Sequence, residues 1–165
     1  MFRRIDDFLD AWTSHTGATL KVLRALTQAS LEQPVHPGGR TLGRIAWHIT
    51  LTLPEMMGHA GLAVAGPDEH APRPPLPDLI AAYESGARAV AEAVKARWTD
   101  AMLEERIPMY GETWARGEVL TSLIVHEAHH RGQMTVLMRQ AGLAVPGVYG
   151  PAAEEWAAMG MPAQP

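Results

Sequence analysis

The sequence predicts an all-α fold, a bundle of four long helices, and three observations predict it. Apolar residues recur with a 3.6-residue period in four separate stretches. Segments rich in proline and glycine separate those stretches. No convincing run alternates apolar and polar residues as a half-buried strand would. Four amphipathic helices without strands pack as an up-down bundle or a one-crossover variant of it. The 165 residues suit a single domain over 1–165.

The first helix is expected from Phe2 to about Ala29, with Ile5, Phe8, Leu9, Trp12, Ala18, Val22, Leu23 and Leu26 on one stripe. Pro34 to Gly39 breaks the pattern. Thr41 is a natural N-cap for a second helix through Leu42, Ile45, Ile49 and Leu53 to about Val64. Pro54 lies inside it and should kink or divide it. Gly66 to Pro77 holds Pro67, Pro72, Pro74, Pro75 and Pro77 and reads as a surface loop. Asp78 is expected to cap a third helix through Leu79, Tyr83, Ala87, Val90 and Val94 to Trp98. Residues 99–113 read as an irregular crossover with a short extended piece at Arg106–Tyr110. The fourth helix is expected from Thr113-Trp114 through Val119, Leu123, His126, His130 and Leu137 to Gln140, with Gly142 as its stop. A loop over 145–151 leads to a short extra C-terminal helix at about Ala152–Met159.

Composition narrows the function classes. The chain is 47% apolar and 19% charged, ordinary for a buried core, and its net charge of −4 is spread without a Lys/Arg block. A nucleic-acid partner is therefore not expected. No segment approaches the roughly 18 apolar residues of a membrane span, and the first seven residues carry Asp6 and Asp7, unlike a signal peptide. The expectation is a cytoplasmic protein acting on a small molecule. There is no cysteine, so thiolate ligands and a cysteine nucleophile are excluded, and thiol chemistry would need an external thiol.

The chemistry concentrates in histidine. His126 and His130 stand at i,i+4, which places both rings on one helical face a turn apart. Both fall on the buried stripe, where a neutral imidazole leaves ring nitrogens to satisfy, and a shared metal ion satisfies them. A third ligand must come from a facing helix, from His15, His48 or His59. His48 is favoured by its apolar neighbours and its place on a polar seam, Ile45, His48, Thr52, Glu55, His59. Thr52 and Glu55 read as supporting or rim groups with His59, while His36 and His70 read as solvated loop residues. His126–His130 also fits the H-E-x-x-H pattern of zinc peptidases, with Glu127 as base and Glu154 or Glu155 as third ligand. That reading is set aside because no strand is expected beside the helix and Glu127 is turned about 100° from His126. Three histidines with an open fourth position are the pattern of a catalytic metal site. Imidazole suits zinc, nickel, copper or iron, and zinc and nickel are ranked first.

The octapeptide His126-Glu127-Ala128-His129-His130-Arg131-Gly132-Gln133 resembles the H-x-x-H-H-R-G-Q signature on the last long helix of the DinB/YfiT-like superfamily. Thr41–Ile49, Trp114–Leu120 and Val145–Pro151 are similar to its second-helix motif, fourth-helix start and following loop. The resemblance implies an up-down-down-up four-helix bundle, often a homodimer, with His48, His126 and His130 as ligands of a divalent metal. It implies an enzyme that activates a low-molecular-weight thiol for transfer to a small electrophile. The alternatives are a metal-dependent hydrolase of a small ester or amide, or a non-catalytic metal-binding stress-response protein. His129, Arg131 and Gln133 are candidates for contacts around the metal or substrate, Arg131 to steer an anion and Gln133 to hydrogen-bond behind a ligand. Gly132 is expected to let helices approach closely.

Overall fold

The computed structural model describes residues 1–162. Four α-helices run over Ile5–Arg24 (α1), Leu42–His59 (α2), Leu76–Arg97 (α3) and Arg116–Gln140 (α4). A two-stranded antiparallel hairpin, Arg106–Met109 (β1) with Glu112–Ala115 (β2), leads directly into α4.

The helix ends follow from local chemistry, and they shorten several expected spans. Asp6 and Asp7 open α1 and Lys21 and Arg24 close it, each sign matched to the helix dipole. The helix stops at Arg24 because Thr27 and Ser30 hydrogen-bond each other's backbone N–H with their hydroxyls and fold the chain into a turn. Thr41 caps α2 by accepting from the Arg44 N–H at 3.1 Å. Pro54 neither divides nor ends α2, which continues to His59. The end comes instead at Gly61, whose φ of +77° allows the Leu62 N–H to reach back to the Met57 carbonyl at 2.9 Å. α3 begins at Leu76, two residues before Asp78, which lies in the first turn without capping it. The Gln28 side chain takes the Leu76 N–H instead, at 2.9 Å. Gly142 ends α4 as expected, with the Leu143 N–H bonded to the Met138 carbonyl.

Two segments depart further from expectation. The extended piece at 106–109 pairs with 112–115, so Thr113-Trp114 belongs to a strand and not to the start of α4. The C-terminal segment is two short 3₁₀ turns, Ala153–Glu155 and Ala157–Met159, in place of one helix.

Specific contacts give the direction of each helix. The start of α1 meets the turn just after α3 through Ile5 N–H to Asp100 Oδ1 at 2.7 Å, so those two helices are antiparallel. Phe2 N–H bonds the Gly117 carbonyl and Arg131 bonds the His15 carbonyl, so α1 and α4 run together. A Cβ on Gly117 would lie 2.1 Å from the Phe2 carbonyl oxygen, and only glycine admits that approach. Gly43 lies against Arg73, just ahead of α3, and Leu53 against Gly86, so α2 and α3 are parallel. Tyr110, ahead of α4, meets Glu55 near the end of α2, so α2 and α4 are antiparallel. The order is up-down-down-up. One buried cluster fills the bundle, with Phe8, Trp12, Val22, Leu42, Tyr83, Val90, Val119 and Met134 among its members.

Candidate metal centre

His48 sits near the middle of α2, half-buried, and the α2–α4 pairing brings it opposite His126 and His130. The Nε2 atom of His126 lies 3.2 Å from that of His48 and 3.1 Å from that of His130. One ligand nitrogen from each ring falls within 4.8 Å of the others, so the three can hold a metal ion. Nitrogens bound tetrahedrally at 2.0–2.1 Å would stand about 3.3 Å apart. The observed spacing is close to that edge, and the donor set fits a borderline divalent cation.

Protonation favours the same use. Burial, then the neighbouring imidazoles, pushes His126 down to about 4. His48 is pushed down to about 4 by burial, by His130 and by Arg40 and Arg44. Burial lowers His130 as well, opposed by its bond to Gln133. All three are neutral near pH 7 and present lone pairs. Gln133 Oε1 accepts from His130 Nδ1 at 2.8 Å, which leaves Nε2 of that ring as the free lone pair. The exposed His129 stands behind the centre, bonded to the Gln133 amide nitrogen at 3.1 Å and with its ring centre 5.0 Å from that of His130. Thr52 donates to the His48 carbonyl at 2.8 Å, holding the backbone behind the ligand and not its ring.

The centre opens on a cleft of about 670 Å³ lined by Arg44, His48, Thr52, Glu55, Tyr110 and His126, among others. Glu55 forms its rim, bonded to His59 at 3.2 Å and to the Tyr110 hydroxyl at 2.9 Å. Tyr110 is the first residue of the hairpin's two-residue turn, with φ of +51° beside Gly111 at +84°. A non-glycine residue in the left-handed region carries strain, and the Glu55 bond and edge contact with Trp114 hold it there. His70 and Glu69 also line the cleft, on a loop fastened by Trp47 Nε1–H to the Ala71 carbonyl at 2.8 Å. Tyr110, Arg44, His70 and Glu69 were not among the residues expected at the site. The Gly111 of the left-handed turn is the local signal for Tyr110, and it is masked because Thr113-Trp114 also fits the start of a helical stripe.

Other candidates lie elsewhere. Arg131 is 2% exposed and turns away from the triad, where it bonds the His15 carbonyl and the Thr19 and Tyr149 hydroxyls. It is not placed to steer a substrate in the cleft. His15 is held in the same group, 3.0 Å from the Tyr149 hydroxyl, and is not a ligand of the triad. Glu127 is 1% exposed and points into the core, bonded to Tyr83. Burial pushes its carboxyl up to about 7, against the pull of Tyr83, Arg131 and Thr19. A strand does precede α4, contrary to expectation, but a base facing the core cannot act at the histidines. Glu154 and Glu155 bind Arg139 and the backbone N–H groups of Gly147 and Ala152. The peptidase pattern is thus coincidental. Gly132 is exposed and nothing lies within 4 Å of where its Cβ would be, so it serves no close helix approach.

A four-helix bundle with up-down-down-up order and three histidines converging between α2 and α4 defines a class of protein, and the comparisons place the chain in it. The profile of the DinB family matches residues 1–164, and the chain belongs to that family. It is 46% identical over 164 residues to the uncharacterized protein YrdA of Bacillus subtilis (strain 168), covering 99% of this chain and 98% of that protein. The crystal structure of a DinB-like protein from Bacillus cereus ATCC 10987 superposes with a TM-score of 0.87 at 43% identity, over 90% of this chain and all of that one. A second DinB-like protein, YjoA of Bacillus subtilis, shares the fold at 18% identity with a TM-score of 0.69, over 88% of this chain and 98% of that one.

Proposed function

We propose that the chain is one DinB-type domain that holds a divalent cation, zinc or nickel, on His48, His126 and His130. In this reading it uses the cation to transfer a low-molecular-weight thiol to a small electrophile. The observation that carries the reading is the convergence of three neutral imidazoles on the wall of an open cleft, with His126 Nε2 3.2 Å from that of His48 and 3.1 Å from that of His130. Three protein ligands leave a coordination position for a reactant, as catalytic sites do and closed four-ligand sites do not. When bound, the cation supplies Lewis-acid activation that lowers the pKa of a thiol or water.

The chain's own residues do the rest. Gln133 holds the His130 tautomer, and Thr52 fixes the His48 backbone. The cleft volume suits a molecule of metabolite or drug size. Arg44 puts a positive charge beside His48, while Glu55, tied to His59 and Tyr110, bounds the far rim. No cysteine is present to act as nucleophile, so the sulfur is brought in by the co-substrate. No helix among the described residues is long and apolar enough to cross a membrane, in keeping with a cytoplasmic enzyme, and a homodimer is the expected assembly.

The test is a panel of small thiols against electrophiles such as epoxides, with and without chelator, on protein of measured metal content. Turnover that needs both thiol and metal supports the proposal. Full metal occupancy with no turnover across the panel would count against it, and turnover without thiol would move the assignment to a hydrolase. Added metal at 100 times its Kd should stabilise the fold by about 2.7 kcal/mol.

A further inference from the structure

The two residues that follow the α4 ligands, Glu127 and Arg131, are among the few charged groups the fold buries, at 1% and 2% exposure. They are themselves i,i+4, so they share a face about 100° around α4 from His126 and His130. Each is anchored to a different helix. Glu127 accepts from the Tyr83 hydroxyl on α3. Arg131 Nη1 donates to the His15 carbonyl at 3.1 Å and to Thr19 Oγ1 at 2.7 Å, both on α1, and Nη2 donates to the Tyr149 hydroxyl. The Arg131 guanidinium also lies 5.1 Å from the centre of the Tyr149 ring, which covers it. Glu127 Oε2 is buried without a hydrogen-bond partner.

Such groups are poor devices for stability. Taking a carboxylate and a guanidinium out of water costs several kcal/mol each, and apolar replacements of similar size are often neutral or stabilising. What directional bonds to two different helices supply, and leucine-like packing does not, is a defined roll and height for α4. An apolar stripe tolerates small rotations, whereas these bonds lapse within a few tenths of an ångström. The ligand nitrogens need that definition, because a rotation of α4 moves both histidines together relative to His48.

We propose that Glu127 and Arg131 are positioning residues for the histidine centre, bolting α4 to α3 and α1 so that His126 and His130 meet His48 at metal-binding distance. The role rests on the reading of the three histidines as a metal site. It assigns the arginine of the His-His-Arg-Gly-Gln segment to the helix interior and not to substrate.

The experiment is cobalt(II) titration followed by visible absorption, with zinc competition, on the whole chain. It compares the wild type with the apolar double variant Glu127→Leu/Arg131→Met, with Glu127→Leu and with Glu127→Gln. The double variant is expected to fold with a metal-free Tm close to that of the wild type, yet to bind cobalt on the order of tenfold more weakly, with an altered spectrum. Glu127→Gln keeps an acceptor for Tyr83 and should restore affinity to within about twofold of the wild type. Val90→Ala, a core truncation on α3, should lower Tm without changing cobalt affinity. Unchanged affinity in the double variant overturns the proposal, as does a Glu127→Gln variant no better than Glu127→Leu. A wild type that binds no cobalt sinks the metal reading itself, and this proposal with it. If the double variant does not fold, Arg131→Lys, which keeps the charge but loses the fork, decides in the same way.

Discussion

Two faces of α4 carry polar side chains into the bundle, and they are built on opposite terms. On the face toward α2, His126 and His130 bring lone pairs to a common point with His48 and open on a cleft. On the face toward α1 and α3, Arg131 donates to Thr19, His15 and Tyr149, Tyr83 donates to Glu127, and both charged side chains are buried. A cluster of neutral ring nitrogens facing one point is a place for a cation. A cluster whose side chains are tied by hydrogen bonds to two neighbouring helices is a joint. One helix thus separates ligand-holding from position-holding by a rotation of about 100°, although His126, Glu127, His130 and Arg131 lie within six consecutive positions.

Loss of a ligand should break the difference most strongly. His126→Ala, which removes the nitrogen nearest both others, should abolish stoichiometric metal in elemental analysis while the chain stays folded. His48→Ala tests the α2 side, and full metal retention there would remove His48 as a ligand. Gln133→Leu should cost roughly 10- to 100-fold in metal affinity, since the His130 tautomer loses its acceptor. Acid should act next. His48 and His126 lie near 4 in the fold against 6.5 unfolded, so the metal-free fold is most stable above about pH 6.5 and loses stability as pH falls through that interval. Glu127, raised to about 7, acts in the opposite sense but counts for one proton against two. Urea midpoints measured from about pH 7.5 down to about pH 4.5 should therefore decline, and a flat profile would contradict neutral imidazoles. The smallest effect belongs to the rim. Tyr110→Phe removes one exposed hydrogen bond to Glu55 and should cost about 0.5 kcal/mol, with any change in turnover appearing in KM more than in kcat.

The helices were legible because burial imposes a 3.6-residue period that survives in a single sequence, and because Thr41 and Gly142 mark their own ends. The triad was legible because i,i+4 spacing fixes two of its members, and the seam on α2 narrows the third. The rest was hidden where distant partners decide. Nothing local says that Arg131 is buried, since its partners His15 and Thr19 lie more than a hundred residues away. The hairpin was half seen, since four-residue strands carry little periodicity and Trp114 fits a helical stripe as well as a strand. Gly61 ends α2 before Val64 through a bond to Met57 that apolar patterning does not reveal.

The spacing of the three Nε2 atoms carries one more consequence, for calorimetry. Two ring nitrogens 3.1 Å apart share whatever sits between them, the N–H of one neutral tautomer or a cation. His126 faces two such neighbours at once. Protons and metal compete for that point only as pH falls toward about 4, and near pH 7 the neutral rings take up a cation without losing a proton. Near pH 7 the rings should accordingly add no buffer dependence to the enthalpy of zinc binding, whereas near pH 4 that enthalpy should shift with the ionisation enthalpy of the buffer, with a slope that counts the protons released.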